Sequence, residues 1–183
     1  MRAFIRGGCV ALTTAALVVS MAGVAVAAPK AKKQSPAKYA KTMCGTYSQL
    51  LTDLQTLNTA IDQLDVTDAT AFKAGATAPT NAFLTSIKAD EAKLAAAYPD
   101  VSNGQKIGKL LVTDANEAEK ALNNAYSALQ ADASPAGGAK YAAAISVLPT
   151  KLSDPFRKIT DQTLINAFQK EKLCKNVVTV TGG

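Results

Sequence analysis

Apolar residues recur every three or four positions through residues 36–64, and this spacing constrains the fold more than any other feature of the sequence. Seven of them form a continuous a/d stripe: Met43, Tyr47, Leu50, Leu54, Leu57, Ile61 and Leu64. Such spacing places them on one face of a helix that must pack against other helices. Ser35 is an N-cap residue and Pro36 a first-turn proline, so we predict that this helix begins at Pro36.

Three further regions of the chain show helical spacing of their apolar residues. The second region is interrupted at Pro79 and ends before Pro99, and the third opens at Gly104. The fourth breaks near Pro149 and restarts at Asp154–Pro155. Because a proline inside a helix removes a hydrogen bond and clashes one turn back, we predict kinks or restarts in the second and fourth helices. Short turns join the four regions, so we predict an all-α fold, an antiparallel four-helix bundle.

The first 27 residues have the layout of a secretory signal peptide. Arg2 and Arg6 form a positive n-region, no further charge occurs before Lys30, and a small-x-small signal ends at Ala27. We therefore predict a signal peptide over residues 1–27, cleaved between Ala27 and Ala28. The uncharged run of about 22 residues is also long enough to span a bilayer. A retained membrane anchor is the alternative, although the Ala, Thr and Gly residues of this run insert weakly.

A lysine-rich segment follows the predicted cleavage site. Residues 28–41 contain no acid and five lysines: Lys30, Lys32, Lys33, Lys38 and Lys41. Residues 28–35 lack an apolar stripe, so we predict that 28–41 is a basic flexible tail and that 28–35 is dispensable for folding. Its lysines are candidates for contact with anionic lipid or cell-wall polymer, and a solvated linker is the simpler interpretation. We assign residues 42–175 to the helical bundle domain and 176–183 to a C-terminal tail.

Two cysteines remain once Cys9 leaves with the signal peptide. Cys44 lies near the start of the first helical region, and Cys174 lies near the end of the last one. Disulfides form and persist in exported proteins, so we predict a Cys44–Cys174 bond, with two separate buried thiols as the alternative. In an antiparallel bundle only an even number of full-length helices brings these two ends together, and the pair therefore favours four helices.

The sequence contains no histidine, which excludes His-based zinc sites and Ser-His or Cys-His nucleophile pairs. Asp90–Glu91 is a candidate carboxylate pair for acid–base or metal chemistry, as is Glu117 with Glu119. Glu117 and Glu119, however, are two positions apart on a helix and point to different faces. We interpret all four acids as parts of a solvated helix surface. We predict no catalytic residue, no metal site and no cofactor.

Three weaker signals have structural interpretations that we favour. Tyr126 or Tyr141 is a conceivable haem ligand, but each has apolar neighbours at helical spacing, which indicates packing. Gly137–Gly138 lacks the spacing of a phosphate loop and indicates a flexible turn. Asn166 lies seven residues from apolar positions on either side, which suggests a polar core residue that sets helix register, a ligand contact or simple exposure.

The signal peptide, the helix-rich composition with 36 alanines and the two widely separated cysteines form one pattern. It resembles that of the small Ala/Thr-rich secreted helical proteins of actinobacteria. The resemblance implies an exported helical protein, secreted or held in the cell envelope, and it assigns no residue and no activity.

These observations together predict a class of function rather than a reaction. We expect an exported, non-enzymatic helical bundle that binds a protein, a cell-envelope component or a small apolar ligand. Nucleic acid is an unexpected partner, because the mature chain contains one arginine, Arg157. Two alternatives stay open: a hydrolase that uses carboxylates alone on an envelope or extracellular glycan, and a membrane-anchored surface protein with a retained signal segment.

Overall fold

The structure, a computed structural model, describes residues 30–132 and 134–180. These residues form a mainly helical fold with one small sheet, in the order β1 Lys32–Gln34, α1 Pro36–Asp62, α2 Ala69–Ala95, β2 Ala97–Pro99, α3 Gly104–Ala131, α4 Pro135–Ser146, α5 Leu148–Arg157, α6 Gln162–Lys170 and α7 Lys172–Val180. Over these two ranges, no helix combines the length and apolarity needed to cross a membrane. The predicted signal peptide and its Ala27–Ala28 cleavage site lie outside the described residues.

α1 and α3 begin where the sequence predicts, at Pro36 and Gly104, and α1 buries its predicted stripe. In α1 the buried apolar residues include Met43, Tyr47, Leu50, Leu54, Leu57 and Ile61. The Asp68 side chain caps α2 by accepting a hydrogen bond from the Ala71 N–H, 3.0 Å away. A Cβ atom at Gly75 would lie only 2.6 Å from Leu64 Cδ2. The glycine therefore lets the first part of α2 pack tightly against the end of α1.

Prolines have different roles in the second and fourth predicted helices. α2 continues through Pro79 without a restart. α4 ends before Pro149, which lies in the first turn of α5, where its missing N–H is not needed. The restart predicted at Asp154–Pro155 is wrong, because α5 continues through both residues to Arg157. Leu152 of α5 is fully buried, so apolar packing of this helix outweighs the capping signal.

The last quarter of the chain forms four short helices instead of one interrupted helix. α6 begins after Asp161, whose carboxylate accepts a hydrogen bond from the Leu164 N–H at 2.9 Å. α7 extends beyond residue 175, where the bundle was expected to end, and reaches Val180. Val177 of α7 is only 1% exposed, so part of the predicted tail 176–183 contributes to the core.

The predicted disulfide is present between α1 and α7. Cys44 and Cys174 are bonded, with their Cα atoms 4.9 Å apart and 130 positions between them in the sequence. An aromatic cluster lies in the same core and brings α5 and α6 to α1. Tyr47 packs edge-on against Phe156 at 4.7 Å between ring centroids, and Phe156 packs against Phe168 at 5.5 Å. The two ends of the described chain are thus joined by a covalent bond and by apolar contacts.

The prediction of a flexible tail over residues 28–41 is wrong for the part that the structure describes. β1 pairs with β2 in parallel, and the Lys32 N–H donates to the Ala96 carbonyl at 2.9 Å. Tyr39, in the first turn of α1, is fully buried. A strand of three residues is too short for apolar alternation to reveal it, and its partner lies more than 60 positions away in the sequence.

The flexible turn predicted at Gly137–Gly138 is also wrong, because both glycines lie in the first turns of α4. The Ser134 hydroxyl caps this helix by accepting a hydrogen bond from the Gly137 N–H at 3.1 Å. A Cβ at Gly138 would lie 3.2 Å from the ring of Phe72. The glycines therefore allow a close approach between α4 and α2, which a sequence pattern cannot distinguish from flexibility.

Candidate functional site

A groove of about 460 Å³ lies between β2, the first half of α3 and the residues that lead into β1. We call it the β2–α3 groove. Its walls are mainly apolar, and the residues that form them include Ala31, Leu94, Ala97, Tyr98, Gly108 and Val112. This volume falls within the range of about 300–1,000 Å³ that is typical of small-molecule sites.

Two glycines of α3 shape this groove. A Cβ at Gly104 would lie 1.9 Å from the Pro99 carbonyl oxygen, so no other residue fits there without a shift of the backbone. One turn later, a Cβ at Gly108 would lie 3.1 Å from Tyr98 Cβ. Asn103 precedes the helix in a left-handed conformation with φ 62°, which asparagine tolerates better than most residues. The chain therefore turns sharply after β2 and brings α3 directly against it.

The charged residues of the β2–α3 groove are all cationic. Lys30 and Lys109 line it together with the polar residues Gln105 and Thr113, and none of the described residues in its lining is an acid. Both lysines are exposed, and neither forms an ion pair with another described residue. The groove thus combines apolar walls with two ammonium groups that are available to a ligand.

A second, smaller groove of about 330 Å³ adjoins the first and shares Lys109 and Thr113 with it. Lys106 and Lys158 extend the cationic surface there. Lys158 lies 3.7 Å from Asp114 of α3, a residue that is only 6% exposed. The two adjoining grooves are thus lined by four lysines, Lys30, Lys106, Lys109 and Lys158, and the smaller one is also lined by Asp161.

The five lysines proposed for envelope contact do not act as one tail. Lys30 lines the β2–α3 groove, whereas Lys32 and Lys33 belong to β1. Lys33 forms an ion pair with Asp100 at 2.7 Å, and this hydrogen bond raises the pKa of Lys33 above its ordinary value. Lys38 and Lys41 are exposed on the first turns of α1. Of the five, Lys30 is the one that lines the β2–α3 groove.

The interpretation of the acids as solvated surface is wrong for Asp90, which is 1% exposed and pairs with Lys93 at 2.7 Å. Glu91 and Glu119 lie side by side between α2 and α3. Burial, and then the neighbouring Glu119, raise the pKa of Glu91 above its usual range. Glu119 also receives a hydrogen bond from Asn123 at 3.2 Å. The two long helices thus meet at a carboxyl pair that the sequence did not reveal.

This carboxyl pair does not match the geometry of a glycan hydrolase. Such enzymes hold two carboxyl groups roughly 5 to 10 Å apart across a cleft, whereas Glu91 can hydrogen-bond directly to Glu119 when protonated. Neither residue lines the grooves described above. Within residues 30–132 and 134–180, no cluster of three or more His, Cys, Asp or Glu side chains is arranged to hold a metal ion.

Tyr141 and Asn166 occupy structural positions. The Tyr141 hydroxyl is hydrogen-bonded to Thr80 in the core, its ring packs edge-on against Phe72, and burial raises its pKa to about 12. Tyr126 stacks at a tilt against the Tyr141 ring, with the ring centroids 6.3 Å apart. Asn166 is exposed on α6 and accepts a hydrogen bond from Gln162, so it does not set register in the core.

No family model matches the chain, and neither a curated protein nor a solved structure matches it. The functional inference therefore depends on the geometry of the β2–α3 groove. Lys109, which lines both grooves, was not singled out from the sequence. The sequence feature that could point to Lys109 is its position immediately after Gly108, a glycine that interrupts an otherwise regular helical pattern.

Proposed function

We propose that this protein is an exported, non-enzymatic helical protein that binds a small, mainly apolar molecule in the β2–α3 groove. The observation that carries this proposal is the groove itself, whose apolar walls enclose about 460 Å³ beside two lysines that form no ion pair with another described residue. Small-molecule sites typically have this composition, with apolar walls and a few polar groups that orient the ligand. A ligand of the cell envelope or of the surrounding medium fits the location that we propose.

Export is supported by two independent features of the chain. The N-terminal 27 residues have the layout of a signal peptide, and the Cys44–Cys174 disulfide is compatible with an oxidising compartment. We propose that the protein is related to the small secreted helical proteins of actinobacteria, and that it stays in the envelope or enters the medium. Retention of the uncharged N-terminal run as a membrane anchor is the alternative for the same function.

We also propose that the scaffold is a modified antiparallel four-helix bundle. In this description α1, α2 and α3 are three of the helices, and the short helices α4 to α7 together replace the fourth. Its support is that α4 packs on α2 through Gly138, and that the disulfide and the aromatic cluster hold α7 and α6 on α1. α5 packs mainly on α3, and its Phe156 reaches Tyr47 of α1. In this bundle we expect the bend of α2 to lie at Pro79, the proline inside that helix.

A neutral fluorescent probe tests the proposed function without involving the lysines. We expect N-phenyl-1-naphthylamine to bind the purified protein saturably, with an emission increase on entering the apolar groove. Ala95 is an exposed residue of the groove lining at the end of α2, so Ala95→Phe should block the groove and weaken binding at least fivefold. The matched control is Ala89→Phe, an equally large addition at an exposed position of α2 outside the groove lining.

The outcomes of this titration are distinguishable. Saturable binding that Ala95→Phe removes and Ala89→Phe leaves unchanged supports a ligand site in the β2–α3 groove. If the wild-type protein gives no saturable signal, the proposed function is wrong. If both variants lose binding equally, the probe occupies another surface and the site assignment is wrong.

A further inference from the structure

Building on the proposed function, we propose that the ligand is a single-chain anionic amphiphile. Its chain lies against the apolar walls of the β2–α3 groove, and its carboxylate or phosphate head group is bound by Lys30 and Lys109. Each part of this assignment follows from a different property of the groove.

The chain-binding part follows from the surfaces that line the groove. Leu94 and Ala97 are buried core residues, 1% and 4% exposed, and they form a floor that is continuous with the protein interior. Val112 adds a branched apolar side chain from α3. Each methylene group that leaves water for such a surface contributes about 0.8 kcal/mol, so a flexible alkyl chain gains affinity along its length.

The head-group part follows from the charges at the same groove. Lys30 and Lys109 are its two charged residues, both are exposed, and neither is paired with a described acid. Beyond Lys109, Lys106 lines the adjoining groove and adds a third cation, whereas Lys158 in that groove is paired with Asp114 and Asp161 also lines it. This arrangement attracts an anion and disfavours a cationic ligand by like-charge repulsion.

The combination of the two properties favours an amphiphile over an anionic polymer. A polymer of the cell wall would need only the exposed lysines and would gain nothing from the apolar floor formed by Leu94 and Ala97. The groove volume of about 460 Å³ also lies in the lower half of the range for small-molecule sites, which suits one alkyl chain better than two.

Competition against the neutral probe measures the head-group preference directly. Dodecanoate, dodecanol and dodecylamine have the same chain length and differ in the charge of the head group. We expect dodecanoate to displace the probe at a concentration about fivefold lower than dodecanol, with dodecylamine the weakest competitor. In about 0.5 M salt the advantage of dodecanoate should shrink, because the ammonium groups are screened, while displacement by dodecanol should not weaken.

Substitution of the lysines assigns the head-group contact. Lys30→Ala and Lys109→Ala should each lower the affinity for dodecanoate about two- to fivefold and leave the affinity for dodecanol unchanged. Lys140→Ala is the matched control, since Lys140 is an exposed lysine of α4 that lines neither groove. All three lysines are exposed, so the variants should fold, and circular dichroism confirms this before the titration.

Each remaining outcome contradicts a defined part of the proposal. Equal displacement by dodecanoate and dodecanol would overturn the anionic head group while leaving the small apolar ligand of the proposed function intact. Unchanged dodecanoate affinity in both Lys30→Ala and Lys109→Ala would overturn the lysine contacts. Displacement by polyaspartate but by none of the alkyl compounds would identify an anionic polymer as the ligand instead. Absence of probe binding would remove the proposed function itself.

Discussion

Two tyrosines of α1 are fully buried and differ in one hydrogen bond. The Tyr47 hydroxyl donates to the Leu111 carbonyl at 3.3 Å, whereas the Tyr39 hydroxyl has no partner among the described residues. Burial raises the pKa of both phenols, which indicates the same dry surroundings. Tyr39→Phe should therefore raise the free energy of unfolding by about 1 kcal/mol, while Tyr47→Phe should lower it by a similar amount. Urea denaturation measures both, and a loss of stability in Tyr39→Phe would contradict the prediction.

At the same scale, Glu91 makes the stability of the protein depend on pH. Burial and Glu119 raise its pKa in the folded state, and Lys88 and Lys120 only partly oppose this. The neutral form thus stabilises the fold below about pH 4, and this contribution is lost as the pH rises through the raised pKa. We predict that Glu91→Gln changes the free energy of unfolding more favourably at about pH 7 than at about pH 4, because glutamine cannot ionise. Glu117→Gln, at an exposed position of α3, is the matched control, and thermal unfolding of both variants at the two pH values measures the difference.

At the scale of elements, β1 connects the N-terminal lysines to the β2–α3 groove. Lys32→Pro removes the N–H that donates to the Ala96 carbonyl and should lower the free energy of unfolding by about 1–3 kcal/mol. Lys32→Ala keeps the N–H and should have little effect, since the side chain is exposed. Because β1 positions Ala31 beside the groove, the proline variant should also bind the neutral probe more weakly. Equal stability of the two variants in urea would mean that the β1–β2 pairing contributes nothing.

The elements that sequence could predict are the long ones with a repeated pattern. In α1 the apolar residues from Met43 to Ile61 repeat often enough to define one buried face, and Pro36 and Asp68 mark where α1 and α2 begin. β1 has too few residues to show a period. The fourth region shows helical spacing, but this spacing does not indicate where the short helices α4 to α7 begin and end. Their positions are decided by tertiary contacts, such as those of Leu152 and Val177, which a local pattern does not contain.

At the scale of the whole molecule, the β2–α3 groove could not be predicted because its parts are distant in the sequence. Lys30 precedes β1, Leu94 lies in the last turn of α2, and Lys109 belongs to α3. They meet only because β1 pairs in parallel with β2 and Gly108 allows α3 to pack on that strand. From the sequence, Lys30 is a candidate contact residue within a flexible tail, because the strand pairing that places it beside apolar walls is not visible there.

The Cys44–Cys174 disulfide has the largest predicted effect on the stability of the whole molecule. It closes a loop of 130 positions by joining α1 to α7, and the chain-entropy model gives about 5 kcal/mol for a loop of this size. We predict that the double variant Cys44→Ser, Cys174→Ser loses up to that amount, which approaches the total stability of many domains. Urea unfolding with circular dichroism, with and without reductant, measures the loss.

Two comparisons distinguish the effect of losing the disulfide bond from the effect of replacing the cysteine side chains. Reductant should destabilise the wild-type protein and leave the double variant unchanged, because only the wild type has a bond to break. Both cysteines are buried, so the serine variant also carries the cost of burying two hydroxyl groups. The double variant Cys44→Ala, Cys174→Ala is the matched control, because alanine has no hydroxyl group. Two thiols that alkylate in the native wild-type protein without reductant would contradict the bond. An alanine double variant as stable as the oxidised wild type would show that the bond does not stabilise the fold, because α7 would then be held on α1 by apolar packing alone.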